Sequence, residues 1–355
     1  MKKMLMLLLS CVMVLANPLS AFANNVNEET SQTKLEEILV GYFSNYLEVQ
    51  KKLEKIDNQF VAESSKLKEY TELHSELSIN LYKKTIGQID WYDVDIKINS
   101  VDKVDELIKV DVNNIVKLKY RNTDFDSDYI ESHIIYLKSF DGGMKIVEDI
   151  FDPAFTASEV DSQIMDRQMT EDKYMENKVE DLKAKLENLD SYIEANMSKE
   201  EKEERGITPF AVVYDGNAAA KWAYDNVHST PEYGDEDCTN FVSKAIHKGG
   251  IPTDSVWYQG SNAWVRVIEL RNWLINNGYG TQYSSYSYAL VGDIVQYYAT
   301  SYGNWRHSVI VTAKDNWSSY PYVSAHSNPQ RNVLASYYYP NGSFSNFRVI
   351  DVHGK

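Results

Sequence analysis

The spacing of apolar residues changes near residue 90, and this change constrains the fold more than any other feature of the sequence. Over residues 33–86 apolar side chains recur at helical spacing, which predicts two or three amphipathic helices. Over residues 92–147 apolar and polar side chains alternate, which predicts antiparallel strands with a tight turn at Asp141-Gly142-Gly143. Residues 24–155 are therefore predicted to form a module of helices packed on one face of an antiparallel sheet.

The C-terminal part of the chain, residues 209–355, also has helical patterns first and strand patterns afterwards. Helical spacing begins at Asn217 and again at Cys238, and a third helical piece covers residues 267–276. Strand-like runs follow, and they begin at Asp293, His307, Pro321 and Phe347. Helices that precede antiparallel strands in this way are typical of the α+β class.

Residues 156–208 are predicted to form an acidic, amphipathic helical linker between these two parts. Its apolar residues keep a heptad spacing and are Met175, Val179, Leu182, Leu186, Leu189 and Ile193. Such a seam can form a homodimeric coiled coil through residues 175–193, or it can lay the helix on another part of the same chain. We favour the second interpretation, because fewer than three heptads seldom hold a coiled coil together alone.

The N-terminal residues 1–23 predict a secretory signal peptide. Lys2 and Lys3 precede an apolar run, and Ala21-Phe22-Ala23 provides a cleavage site between small residues. Leu9-Ser10-Cys11 is a weaker alternative that would make the chain a lipoprotein. No later stretch approaches the roughly 20 apolar residues that span a bilayer. The mature protein is therefore expected to be secreted and extracellular, either free or associated with the cell wall.

The charge balance limits the classes of partner. The sequence has 36 Lys and Arg against 52 Asp and Glu, a net charge of −16. This acidity argues against a nucleic acid or an anionic membrane surface as the main partner. The 26 tyrosines instead indicate a surface or cleft that is rich in amphipathic rings.

Cys238 is the single cysteine that remains once the leader is removed, so the mature chain can form no internal disulfide. It stands where a helix is predicted to begin, with Asp235 or Asp237 as a cap and Gly249-Gly250 at the end. A helix N-terminus favours an anion, which predicts a lowered thiol pKa and a nucleophilic cysteine. A buried inert thiol and an intermolecular disulfide are the alternatives.

A cysteine nucleophile needs a base, and His307 is the candidate because it opens a predicted strand. We expect its ring to project from the sheet where the helix of Cys238 packs, and His326 or Asn328 to orient that ring. The alternative is a histidine at a strand edge without a catalytic role. Because the cysteine and histidines lack the paired spacing of a zinc site, we predict no metal and no cofactor.

Four short motifs resemble a known family, and they are Asp237–Ser243, Gly249–Gly250, Gly292–Val295 and Arg306–Val311. This pattern resembles the putative amidase domain family of secreted bacterial proteins, which is related to the NlpC-type and CHAP cell-wall hydrolases. The resemblance covers residues 212–355 and implies a papain-like fold, with Cys238 as nucleophile and His307 as general base. It also suggests that Tyr233 helps to stabilise the oxyanion, although an aromatic lid is an equal alternative for this residue.

These arguments predict a secreted cysteine amidase or peptidase that cleaves an amide bond in peptidoglycan or another extracellular peptide. The reaction would pass through a thioester on Cys238, from which hydrolysis and acyl transfer are both open. A different class is a catalytically silent surface protein, similar to an adhesin, that keeps the fold and binds a polymer through its aromatic residues.

Overall fold

The structure, a computed structural model, describes residues 28–85, 87–166, 170–197, 213–234, 237–315 and 320–355. The predicted signal peptide lies outside these residues, and so do the predicted boundary at residues 208–209 and the alternative helix cap Asp235. Among the described residues, no helix combines the length and the apolar composition needed to cross a membrane.

The helices of the described ranges are α1 (Glu28–Lys52), α2 (Lys66–Thr85), α3 (Ala157–Asp166), α4 (Glu171–Met197), α5 (Gly216–Asn226), α6 (Cys238–Lys248), α7 (Asn262–Val265) and α8 (Val267–Asn276). The strands are β1 (Ile89–Val104), β2 (Leu107–Tyr120), β3 (Ser127–Phe140), β4 (Gly143–Phe151), β5 (Gly280–Tyr283), β6 (Ile294–Ala299), β7 (Asn304–Ala313), β8 (Tyr322–Ala325), β9 (Gln330–Leu334) and β10 (Asn346–Val352). Both predicted groups of helices and strands are therefore present.

One antiparallel sheet contains all ten of these described strands. Its order is β1-β2-β3-β9-β8-β7-β6-β10-β5, and β4 pairs with β3 beside this path. Helices α1 and α2 pack on the N-terminal strands, whereas α5, α6 and α8 pack on the C-terminal ones. The predicted α+β class is confirmed, and the boundaries of the predicted domains remain predictions.

Strand β3 joins the N-terminal strands to the C-terminal strands. One edge of β3 pairs with β2, and the other edge is divided between β9 and β4. The pairing with β9 is short, with Asp128 opposite Arg331 and Tyr129 opposite Gln330. The sequence pattern did not predict β9 or β5, because each has five residues or fewer and lacks a clear alternation of apolar and polar side chains.

The C-terminal strands present different residues to their two faces. Phe241 and Val242 of α6 pack on the face that carries Ile294 and Ile310. The opposite face carries Val309 and belongs to the large core that the C-terminal strands share with α4 and β3. Because side chains alternate along a strand, neighbouring residues of β7 lie in separate cores.

The apolar seam of α4 is buried within the chain. Met175, Val179, Leu182, Leu189 and Ile193 are all at most 5% exposed. The helix packs against α2, and on the C-terminal side the ring of Tyr192 lies 5.0 Å from that of Tyr339. The structure therefore supplies an intramolecular partner for the seam and gives no support to a dimer formed through it.

We expect Leu189→Ala to lower the free energy of unfolding by about 2–5 kcal/mol, because it leaves a cavity in a packed core. Glu187→Ala, an exposed change on the same helix, is the matched control and should change it by less than about 0.5 kcal/mol. Urea denaturation measures both effects. If the seam held a dimer instead, the midpoint would rise with protein concentration, and we expect it to stay constant.

Candidate active site

Cys238 is the first residue of α6 and lies beside strand β7. Its Sγ is 4.0 Å from the carbonyl oxygen of Arg306 and 3.7 Å from Thr239 Oγ1, and it also interacts with the backbone N–H of Ser308. The hydroxyl of Thr239 donates to Ser308 Oγ at 3.2 Å and so fixes the helix start to the strand. The thiol therefore contacts the backbone on both sides of His307.

The position of Cys238 follows from the lengths of two neighbouring strands. Strand β8 pairs with β7 over Ile310–Ala313, so the earlier residues of β7 have an open edge. Backbone N–H and C=O groups of a strand point along the sheet toward the next strand. Since Sγ lies at such groups of Arg306 and Ser308, the thiol sits at this edge, where the continuation of β8 would lie.

Burial dominates the acidity of the thiol. Cys238 is 8% exposed, and this burial raises the pKa of its thiol although hydrogen bonds from Ser308 and Thr239 oppose the shift. The sequence led us to expect a lowered pKa at the helix N-terminus. The structure differs because burial destabilises the thiolate by more than the helix N-terminus stabilises it. The thiol is neutral near pH 7.

His307 is buried on the face of β7 that is opposite to α6. Its ring centroid lies 5.0 Å from that of Tyr338 and 6.1 Å from that of Phe344, both in the large core. The expected projection of the ring toward α6 is therefore wrong, because α6 packs on the face of Ser308 and Ile310. Among the described residues, no hydrogen bond joins His307 to Cys238, and Nε2 of His307 has no hydrogen-bond partner.

The imidazole of His307 is neutral. Burial lowers its pKa to about 3. The ring of Tyr338 lies beside that of His307, and burial and then the charges of Tyr297 and Cys238 raise the pKa of its hydroxyl well above the ordinary value. His307 thus lies in a position in which it can accept a proton only when charge develops beside it. Its role as the base remains a prediction.

His326 forms a pair with Asp237, and neither residue contacts His307. Nδ1 of His326 is 2.5 Å from Asp237 Oδ2, Nε2 is 2.8 Å from the carbonyl oxygen of Ser229, and the ring stacks on Phe241. The amide of Asn328 donates to the carbonyl oxygens of Asp152 and Phe155. The expected contact of His326 or Asn328 with His307 is therefore not present among the described residues.

Asp237, the residue before the cysteine, organises the loop above the helix start. Its Oδ1 accepts from the backbone N–H groups of Glu232 and Tyr233 and from the side chain of Asn240 at 2.9 Å. Burial by itself raises the pKa of Asp237, but the hydrogen bonds from His326 and Asn240 outweigh it and lower the pKa. The carboxylate makes no hydrogen bond that caps α6. In the sequence, the position of Asp237 next to Cys238 is the only feature that points to this hydrogen-bond network.

Tyr233 lies on the surface, with 42% of the residue exposed. A Cβ atom added to Gly260 would lie 3.2 Å from its hydroxyl, so the phenol stands beside the loop that precedes α7. No hydrogen bond of the described residues joins this hydroxyl to Cys238. The contribution of Tyr233 to an oxyanion site remains a prediction.

The Gly292-Asp293 motif has a structural role. Gly292 has a φ of +93°, and a Cβ atom there would lie 2.3 Å from the Cα of Gly216. Asp293 is buried, and its carboxylate accepts from the backbone N–H groups of Leu290 at 2.8 Å and Val352 at 2.9 Å. The motif therefore fixes the turn into β6 against α5 and β10.

Comparisons with known proteins identify the region that contains this site. Residues 201–348 match the family model described as "Putative amidase domain". The chain is 30% identical over 180 residues to the uncharacterized protein YjcM of Bacillus subtilis strain 168, and the aligned region covers 46% of this chain and 44% of that protein. It is 27% identical over 173 residues to the uncharacterized protein YhbB of the same strain, and the aligned region covers 43% of this chain and 55% of that protein.

The chain thus spans about half the length of the curated relatives that it matches. No solved structure matches the chain. The match supports the amidase-domain family for residues 201–348.

We expect alkylation of Cys238 by iodoacetamide to be slow at pH 7 and to accelerate with an inflection above about pH 8.5, the ordinary value for a free thiol. The reason is the burial that raises the pKa of this thiol. The same protein in denaturing urea is the control and should show the ordinary inflection. An inflection well below pH 8.5 in the folded protein would contradict this assignment.

A second prediction concerns acid stability. Because the pKa of Asp237 is lowered in the folded state, its contribution is complete above about pH 5 and is lost as the pH falls below the ordinary carboxyl value of about 3.9. Asp237→Asn should therefore be less stable than the wild type at pH 7, and the difference should shrink toward pH 3. Urea denaturation at several pH values measures it, and a constant difference would refute the prediction.

Proposed function

We propose that this chain is a secreted cysteine amidase or peptidase that uses Cys238 as its nucleophile. The observation that carries the proposal is that Cys238, the only cysteine among the described residues, begins a helix at the strand edge beside His307 within the matched region. The α+β arrangement, with the cysteine helix on an antiparallel sheet, is compatible with a papain-like fold.

The proposed reaction begins with a neutral thiol and a neutral imidazole. The sulfur attacks the carbonyl carbon of the amide while its proton passes to His307, and the backbone N–H groups at the start of α6 stabilise the developing oxyanion. The imidazolium then gives its proton to the leaving amine, and a thioester remains on Cys238. In hydrolysis, water attacks the thioester and releases the acyl group as an acid and Cys238 as the thiol. In acyl transfer, a second amine would attack instead and carry the acyl group away as a new amide.

Because His307 is a weak base, the reacting substrate must supply the negative charge that lets this imidazole accept a proton. With a pKa of about 3, this imidazole does not deprotonate the thiol in the free protein. Proton transfer from the Cys238 thiol to His307 becomes favourable when the tetrahedral anion forms nearby, because an adjacent negative charge raises the pKa of a buried imidazole. The proposed mechanism therefore uses general-base catalysis without a resident ion pair of thiolate and imidazolium.

The pair of His326 and Asp237 would act as a positioning unit. It holds the backbone of Ser229, Glu232 and Tyr233 above the start of α6. This loop is the element that a substrate must pass to reach the thiol from the side of Tyr233. We propose peptide amide bonds of the bacterial cell wall as the substrate class, since the predicted signal peptide would export the chain.

The second candidate is a binding protein that retains the fold without catalysis. The observations in its favour are the raised pKa of Cys238 and the lack of a hydrogen bond, among the described residues, between Cys238 and His307. In that case, residues of the matched region would bind a wall polymer, and no amide bond would break.

We expect Cys238→Ala to abolish amide hydrolysis, with a loss of about a thousandfold or more, while the protein stays folded. His307→Asn should lose about a hundredfold or more, because a general base is removed. Purified cell walls and their stem peptides serve as substrates, and mass spectrometry with amine labelling detects each newly released amine.

Lys248→Ala, an exposed change at the other end of α6, is the control and should keep full activity. Hydrolysis that persists in Cys238→Ala would refute the nucleophile. A wild-type protein that binds walls and releases no amine from any substrate would favour the binding protein.

A further inference from the structure

A cavity of about 440 Å³ lies outside the candidate active site, between the N-terminal module and the C-terminal strands. Its wall includes residues of α1, α2, β3, β4 and α4 on one side and residues 300–302 and 341–343 on the other. A volume of this size is in the range of natural pockets for small molecules. Neither Cys238 nor His307 lines it.

The polar groups at the base of the cavity are centred on His133. Its Nδ1 is 2.9 Å from Asp149 Oδ1, and the hydroxyl of Tyr42 donates to the same carboxylate at 2.9 Å. Burial alone would lower the pKa of His133, but the charge and hydrogen bonds of Asp149, together with Glu131, raise it to about 9. This imidazole is therefore a cation at neutral pH.

Two buried polar atoms of the cavity lining have no hydrogen-bond partner among the described residues. They are Nε2 of His133 and Oδ1 of Asn114, and both residues are only 3% exposed. The nearest carboxylate oxygen to His133 Nε2 belongs to Glu131, at 3.6 Å. His133 Nε2 therefore has an ion-pair contact but no hydrogen bond, Asn114 Oδ1 is an acceptor without a hydrogen bond, and buried groups of this kind usually have partners.

Lys178 contributes a nitrogen donor to the same wall, and burial lowers the pKa of its amine although the charges of Asp149, Asp152 and Asp181 oppose the shift. Its ammonium donates to the carbonyl oxygen of Phe151 at 3.0 Å. It also lies 4.9 Å from the ring centroid of Tyr70, 5.2 Å from that of Tyr174 and 5.4 Å from that of Phe151. An ammonium has three N–H donors, and one hydrogen bond among the described residues leaves two for a ligand.

The carboxylates of the lining outnumber the cations. Glu131, Asp149 and Asp152 line the cavity, and Asp181 is paired with Lys185 at 2.5 Å. His74 is neutral, because burial lowers its pKa to about 4. The carboxylates of the lining offer a place for a positive group of a ligand, whereas the N–H donors of His133 Nε2 and Lys178 that make no hydrogen bond among the described residues can serve an acceptor.

We propose that this cavity binds a zwitterionic amino acid or short peptide, with its carboxylate on Lys178 and His133 and its amino group near Asn114 Oδ1. The aromatic rings of the wall pack against the apolar body of the ligand. This site is separate from the proposed catalytic site and does not depend on catalysis at Cys238. It gives the N-terminal module a function of its own, which is recognition of peptide fragments.

Isothermal titration calorimetry on the full-length Cys238→Ala protein tests the proposal, since hydrolysis is then excluded from the measurement. The probes are L-leucine, L-phenylalanine and L-alanyl-L-leucine, each with its carboxamide and its N-acetyl derivative. We expect a zwitterionic member to bind, and each derivative to bind about tenfold or more weakly. Absence of binding by all three zwitterions at millimolar concentration would overturn the proposal, and so would equal binding of the carboxamides.

Lys178→Met should weaken the binding of the zwitterion about tenfold or more, because its carboxylate loses a hydrogen-bond donor. Lys173→Met is the matched control on the same helix, where the side chain is half exposed and paired with Glu176, and it should bind as the parent does. Unchanged affinity in Lys178→Met would overturn the assignment of the carboxylate. If Lys178→Met does not fold, the series of derivatives decides the question alone.

Discussion

The short pairing of β3 with β9 is the constraint on which the rest of the structure depends. Only two residue pairs join the strands, and side chains reinforce them: Arg331 binds Asp128 at 3.0 Å, and Ser127 donates to the carbonyl oxygen of Asn332 at 2.7 Å. Gln330 also donates to the carbonyl oxygen of Pro153. This junction joins the strands before residue 151 and those after residue 280 into one sheet.

The same junction positions the residues near the thiol. The turn between β8 and β9 carries His326 and Asn328, and Asn328 binds the loop after β4 while His326 binds Asp237. The N-terminal module therefore holds one end of the turn whose other end meets the residue before Cys238.

Two buried histidines show how their neighbours decide their charge. His133 and His307 are both at most 3% exposed, and burial disfavours the cation in each. His133 faces Asp149 and Glu131, and its pKa is raised to about 9, whereas His307 faces aromatic rings and its pKa is lowered to about 3. Similar burial thus leaves one imidazole charged and the other neutral near pH 7.

The sequence by itself determined the local elements, because they depend on the spacing of apolar residues along one segment. It predicted the α+β class, the helix that begins at Cys238 and the strand that contains His307. Only the tertiary structure decided that α6 packs on the face of Ser308, so that His307 points the other way, and that His326 binds Asp237. Both depend on which strands and helices become neighbours in the folded chain. The pKa of the thiol was also decided by the tertiary structure, because burial outweighs the effect of the helix N-terminus.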